Sequence, residues 1–370
     1  MSIFNDLIEY VANDKSITDL HLRNGEYPVV RKAGRLERLN KAPFYRLYDD
    51  ELWKIFEEIV PDKEFKERFT NERDLDISYN IGSAARFRVN IAKDFNGISF
   101  SIRKIPYNPP NIYDLKLPKY FDSLIKAPDD SKITGLILVV GPTGSGKTTL
   151  LASMIETINQ KQHKNIILLE DPIEYVFESK QSIIMQREIG RHTKNFMTGI
   201  IAAKREDPDV VMIGEMRTAE AIESVLNISE SGHLVFSTLH TGSIIETVDT
   251  IVSSFESNQQ PLIRLTFSRV AKAIISSKII YEGNKAFSAP ETLFVSNRIR
   301  EYIRNWNLDE IKKAMEDELN RLKTIKHRIY YPREEHLIEL YKEKLISKET
   351  LLKYSRENVL LKLAEIHDLT

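Results

Sequence analysis

The residues best equipped for chemistry lie between positions 141 and 241 of the chain. The first group is Gly141, Pro142, Thr143, Gly144, Ser145, Gly146, Lys147 and Thr148, a full G-x-x-x-x-G-K-[ST] match. Glycines let such a loop turn its N–H groups toward phosphate oxygens, and a helix opening at Lys147 adds the partial positive charge of its amino end. Lys147 is expected to reach the β- and γ-phosphates. Thr148, with Thr149 beside it, is expected to offer a hydroxyl to Mg²⁺. The spacing thus predicts a cradle for ATP and Mg²⁺.

Hydrolysis also needs a carboxylate near the attacking water, and two segments offer one. Val210-Val-Met-Ile-Gly-Glu215 is a strand-like run ending in an acid, with Gly214 where a metal-holding Asp often stands. Glu215 would polarise the water or hold the metal through water. The rival is Ile166-Ile-Leu-Leu-Glu-Asp171-Pro-Ile-Glu174, with three acids just after a strand. Two histidines, His233 and His240, flank the run 234–239. If that run is a strand, it holds them about 23 Å apart, too far to share one metal ion. His240 falls at the carboxyl end and can hydrogen-bond a γ-phosphate, whereas His233 at the other end reads as easily as a structural histidine.

The elements that must position these residues are legible in the hydropathy. Apolar runs at 135–140, 165–169, 210–213 and 234–239 alternate with helix-like segments, the pattern of a parallel sheet buried on both faces. Ligands of such sheets lie beyond the carboxyl ends of the strands, where both acidic segments and His240 fall. Residues 1–105 mix helical spacing (Phe4, Leu7, Ile8, Val11, then 51–69) with the alternating runs 18–23, 86–91 and 98–102. They are expected to form an α+β domain with Phe87, Val89 and Ile91 on its core face and Arg86 and Arg88 opposite. Pro106, Pro109, Pro110 and Pro118 mark 106–118 as a linker. A sheet domain is expected over 119–283 and a helical region over 284–370, where Asn307 and Glu310 read as a helix start.

Composition narrows the classes. The 370 residues carry 53 Lys+Arg against 54 Asp+Glu and no cysteine, which excludes disulfides, thiolate zinc sites and a cysteine nucleophile. A net charge of −1 argues against broad nucleic-acid binding. No apolar run approaches the length of a membrane span. Glycine is scarce, at 14 residues, and nine of these lie from Gly135 to Gly242, which singles out the middle segment as the place where the backbone has a special task.

Taken together, these residues resemble the secretion-ATPase superfamily of the GspE/PilT type, and within it the type IV pilus retraction ATPases. The resemblance rests on the loop 141–148, the aspartate box 169–175, the segment Arg205–Arg217 ending in Gly-Glu-Met-Arg, and the histidine box Glu230–Thr241, in the family's order. It extends to Asp19-Leu-His-Leu22 and Ala85-Arg-Phe-Arg-Val-Asn90. It implies an α/β fold, with a RecA-like P-loop ATPase domain preceded by a PAS-like α+β domain and followed by a helical region.

The resemblance further implies a homo-hexameric ring. It implies catalytic roles for Glu215, Glu174, His240 and the arginine fingers Arg88 and Arg103. Residues 141–149 and His233 would contact nucleotide, and Thr148 and Glu215 the metal. A cytoplasmic location docked at an inner-membrane platform protein is expected, with no nucleic acid as partner. The short, cysteine-free chain is similar to the retraction type and to its type IV secretion relative DotB. The family's C-terminal element Ala-Ile-Arg-Asn-Leu-Ile is matched at Ile299, Arg300 and Ile303, while Glu301 and Tyr302 depart from it. The reading is therefore a pilus-retraction motor. A secretion ATPase driving export and a nucleotide-gated assembly switch without turnover are the alternatives.

Overall fold

The computed structural model describes residues 2–14, 16–32, 35–60, 62–81, 85–105, 108–126, 133–283, 285–320 and 328–367. The chain divides into two compact units, one comprising 1–108 with 172–176 and the other 109–171 with 177–370. The division falls inside the proline-rich stretch 106–118, of which residues 106 and 107 lie outside the described residues.

The first unit contains α1 (Ile3–Asn13), β1 (Ile17–Arg23), β2 (Val29–Lys32), β3 (Arg35–Arg38), α2 (Asp49–Ile59), α3 (Lys63–Glu72), β4 (Asp74–Ile81), β5 (Ala85–Asp94) and β6 (Gly97–Ile105). Its six strands form an antiparallel sheet in the order β3-β2-β1-β6-β5-β4. Period-two alternation puts Leu20 and Leu22, Phe87, Val89 and Ile91, and Phe100 and Ile102 on one face. That face shares a buried cluster with Phe4, Leu7 and Val11 of α1, Leu52 and Phe56 of α2 and Phe69 of α3. The opposite face carries the polar half of each alternation, including Asp19, Arg88 and Arg103.

The second unit begins with α4 (Phe121–Ile125), β7 (Gly135–Val140), α5 (Lys147–Lys161), β8 (Asn165–Glu170), β9 (Ile183–Glu188), α6 (Phe196–Ala203) and β10 (Val210–Ile213). It continues through α7 (Ala219–Glu230), β11 (Leu234–Leu239), α8 (Ile244–Ser253), α9 (Gln260–Val270) and β12 (Ala271–Ser276). Six strands run parallel in the order β12-β7-β11-β10-β8-β9. Every residue of β7, β10 and β11 is buried, as continuous apolar runs in a doubly covered sheet require. β9 is the exception. It is an edge strand with Ile183 and Met185 exposed, and its mixed composition gave no strand signal.

The region after β12 is mostly helical but opens with strands. The hairpin β13 (Ile279–Glu282) and β14 (Lys285–Ser288) comes first, then β15 (Glu291–Phe294), α10 (Asn297–Arg304), α11 (Leu308–Asn320) and β16 (Tyr330–Tyr331). β15 extends the large sheet antiparallel to β12, and β16 pairs antiparallel with β15, so this region shares a core with the sheet unit. The helices α12 (Arg333–Lys342), α13 (Lys348–Tyr354) and α14 (Glu357–His367) complete the chain. Among the described residues no helix is long and apolar enough to cross a membrane.

Candidate active site

The phosphate-loop residues leave the central strand β7 and enter α5 directly. Gly141 has φ +145°, and a Cβ there would lie 2.5 Å from Ser145 Oγ and 2.8 Å from the Ser277 carbonyl oxygen. Gly144 and Gly146 have φ +79° and +85°, the left-handed region that only glycine enters cheaply. Pro142, Thr143 and Gly144 are exposed at the tip, Ser145 and Lys147 are buried, and Thr148 and Thr149 are half-buried in the first turn of α5. The amides of that turn have no helical carbonyl to pair with, and the N-cap, Gly146, has no side chain to cap them. Among the described residues the buried Ser145 hydroxyl has no hydrogen-bond partner. Such a cradle, which a Cβ would fill and which carries an orphaned hydroxyl, fits a phosphate group.

Lys147 donates through Nζ to the carbonyl oxygens of Gly141 (2.8 Å) and Pro142 (3.1 Å). The same ammonium lies 3.4 Å from Nδ1 of His240. Parallel pairing explains the contact, because Leu239 is in register with Val140 and each chain leaves its strand at the same level. His240 Nε2 is 3.0 Å from Glu215 Oε1, and Arg217 Nε donates to Glu215 Oε2 at 2.9 Å. An imidazole carrying its proton on Nε2 satisfies both contacts, accepting from Lys147 and donating to Glu215. Lysine, histidine, glutamate and arginine thus form one continuous array.

Glu215 is held by its neighbours. The Gly214 N–H donates to Leu169 O (2.8 Å), Thr238 Oγ1 donates to Gly214 O (2.6 Å), and the Met216 N–H donates to Thr238 O (3.1 Å). These bonds pin the turn after β10 to β8 and β11. Thr238 escaped sequence reasoning because neither its type nor its spacing announces a partner in the turn after β10, and Arg217 because a surface arginine two residues from a glutamate is commonplace. His233 corrects the sequence expectation. It precedes β11 at the amino end, about 20 Å from the loop by strand rise, and its Nδ1 contacts Ile228 O at 3.1 Å. In this chain it serves the turn after α7 and is not brought to the phosphate cradle.

The aspartate box is divided. Glu170 is buried at the end of β8 and accepts from Gln186 Nε2 at 3.1 Å, while Asp171 is exposed. Pro172–Val176 belongs to the first unit, where Arg86 donates to Ile173 O through Nε (3.3 Å) and Nη2 (3.2 Å). Arg86 is therefore occupied in holding that segment. Glu174 lies 3.8 Å from Arg88, whose other acid is Asp76 at 3.5 Å. Arg88 is directly opposite Arg103 across β5 and β6, and Arg103 in turn pairs with Asp19 across β6 and β1. Arg103 Nε donates to Asp19 Oδ1 at 2.9 Å, and Arg31 lies 3.6 Å from the same carboxylate. Burial alone would raise the Asp19 carboxyl, but the bonds from Arg103 and Thr18 outweigh it and hold it below the usual range. Two arginines side by side are thus compensated by acids on both flanks.

A glycine loop on the central strand of a parallel sheet, with lysine, histidine and glutamate converging at the strand ends, defines a P-loop ATPase. More specifically, the chain belongs to the type II/IV secretion system protein family, whose model matches residues 66–314, and it is an ATP-hydrolysing enzyme of that family. It is 35% identical over 312 residues to the type IV pilus retraction ATPase PilT of Pseudomonas aeruginosa, covering 84% of this chain and 88% of the relative. The twitching motility protein of Neisseria gonorrhoeae is 35% identical over 291 residues, 78% of this chain and 75% of the relative. The crystal structure of the pilus retraction motor PilT with bound ADP superposes with a TM-score of 0.80 at 35% identity, covering 96% of this chain and 98% of that one. The ATPase DotB of Legionella pneumophila, at 24% identity and a TM-score of 0.77, shares the fold.

Proposed function

We propose that this chain is the ATP-driven motor of a type IV pilus system and powers pilus retraction as a cytoplasmic homo-hexamer docked on an inner-membrane platform protein. The observation that carries the ATPase half is the array Lys147–His240–Glu215 at the strand ends. Retraction is supported by a relative and a solved structure named for it, each matching most of this chain.

In this reading residues 141–149 bind the phosphates of ATP, with Lys147 exchanging its loop carbonyls for β- and γ-phosphoryl oxygens. A bound Mg²⁺ would supply neutralisation of the phosphoryl charge. Thr148, in the first turn of α5, and, through water, Glu215 are the residues that would receive the ion. Glu215 accepts a proton from the attacking water. His240 joins Lys147 to Glu215, so its hydrogen bonds report which phosphate Lys147 holds. Arg88 and Arg103 supply guanidinium donors for phosphoryl oxygens in the transition state, with Glu174 setting the orientation of Arg88.

Protein export is a second reading, and α10 is what favours it. The matched Ile299 and Ile303 are buried, and Arg300 Nη1 donates to Ser268 O (2.6 Å) at the carboxyl end of α9. The departures fall elsewhere, on exposed Glu301 and on Tyr302, whose hydroxyl accepts from Arg298. A strain lacking this chain separates the readings. Retraction predicts abundant surface pili that fail to withdraw, and normal pili with failed export would overturn it.

A further inference from the structure

The phosphate loop is buttressed from outside its motif by the segment after β12. The Ser277 N–H donates to Val140 O at 2.8 Å, and Ser277 Oγ donates to Ser145 O at 2.8 Å. The carbonyl of Ser277 lies against Gly141, and the Ile279 side chain lies 3.1 Å from where a Cβ of Gly146 would be. Ser277 is 2% exposed. The segment is itself anchored, since the Ala289 N–H donates to Lys278 O (2.7 Å) and Arg333 Nε donates to Ala289 O (2.9 Å).

We infer that Ser277 is a positioning residue for nucleotide binding. A trans peptide is planar, with its carbonyl and the following N–H pointing in opposite directions. By holding the Ser145 carbonyl outward, the Ser277 hydroxyl turns the Gly146 N–H toward the phosphate side. Other loop carbonyls are also engaged, those of Gly141 and Pro142 by Lys147 and that of Gly146 by the Leu150 N–H. Without the hydroxyl the 145–146 peptide is free to rotate, and each rotation that presents an oxygen to the phosphate repels it. The site therefore depends on a residue 132 positions beyond Ser145, through orientation and not through contact with the ligand. This rests on the nucleotide reading above.

The test compares parent, Ser277→Ala, Ser277→Thr and Ser229→Ala for binding of a fluorescent ribose-labelled ADP with Mg²⁺ and for melting temperature without nucleotide. Ser229 is a fair control, because its buried Oγ donates to Val225 O on α7, away from the loop. The expected result is an affinity lower by about tenfold in Ser277→Ala, the size of one lost oriented hydrogen bond. Ser277→Thr should recover most of it, Ser229→Ala should bind as the parent does, and KM for ATP should rise more than kcat falls. Parental affinity in Ser277→Ala overturns the inference, as does an equal affinity loss in Ser229→Ala. A parent that binds no labelled ADP would instead overturn the nucleotide reading itself.

Discussion

At the scale of single residues, side chains of one type have different partners that composition alone cannot tell apart. Glu215 and Glu174 are both glutamates near a strand end, yet Glu215 is bonded to His240 and Arg217, whereas Glu174 faces Arg88. His240→Asn should retain nucleotide but turn over slowly, by roughly 10²-fold for the loss of a positioned relay, as steady-state assays against binding titrations will show. Gly141→Ala would place a Cβ 2.8 Å from the backbone oxygen of Ser277, which no side-chain movement can relieve. That variant should lose several degrees of melting temperature together with nucleotide affinity, measured by thermal unfolding with and without ADP. The loop, Glu215 and His240 were legible because each follows an apolar run buried on both faces. Thr238 and Ser277 were not, since their partners are 24 and 132 positions away in sequence, and Arg217 was not singled out although its partner Glu215 is two residues away. His233 was drawn in by its box, and the strand that separates it from His240 places it at the far end.

At the scale of elements, charge pairs hold segments where apolar burial does not. Arg356, between α13 and α14, donates through Nε and Nη2 to both carboxylate oxygens of Glu334, each at 2.8 Å. Burial pushes the Glu334 carboxyl up, but the hydrogen bonds and charge of Arg356 outweigh it and hold the group below its ordinary range. A carboxylate depressed in the folded chain adds stability above its unfolded value, about 4.3, and loses it as pH falls through the folded value. Arg356→Met removes the partner and leaves Glu334 buried, with Arg333 and Lys278 nearby. It should cost about 3–5 kcal/mol at pH 8. In that variant burial raises the carboxyl, so the defect should shrink as pH falls toward 5, measured by denaturant unfolding at both values. None of this network was legible, because a two-residue strand and an isolated arginine carry no periodic signal. The parallel strands β7, β8, β10 and β11 were legible for the opposite reason, while β12 was not read from the sequence. The edge strand β9 was hidden by being half exposed, and the β13–β16 strands by their shortness.

At the scale of the whole molecule, two units divide the work. The first presents Asp19, Arg103 and Arg88 in register across three adjacent strands, and the second carries the phosphate loop and its array. The small segment 172–176 belongs to the first unit although the sheet unit surrounds it in sequence, which no local pattern predicts. Nucleotide bound to the second unit should stabilise it by mass action, about 2.7 kcal/mol at a hundredfold excess over Kd, visible as an ADP-dependent rise in its melting transition. The proposed motor stands or falls on the chemistry of that unit. The most direct measurement is steady-state ATP turnover by the purified parent beside Glu215→Gln, with labelled-ADP affinity recorded for both. Glu215→Gln should bind nucleotide as the parent does and hydrolyse ATP slower by about 10²–10⁴-fold. Turnover by Glu215→Gln equal to that of the parent would contradict the proposal.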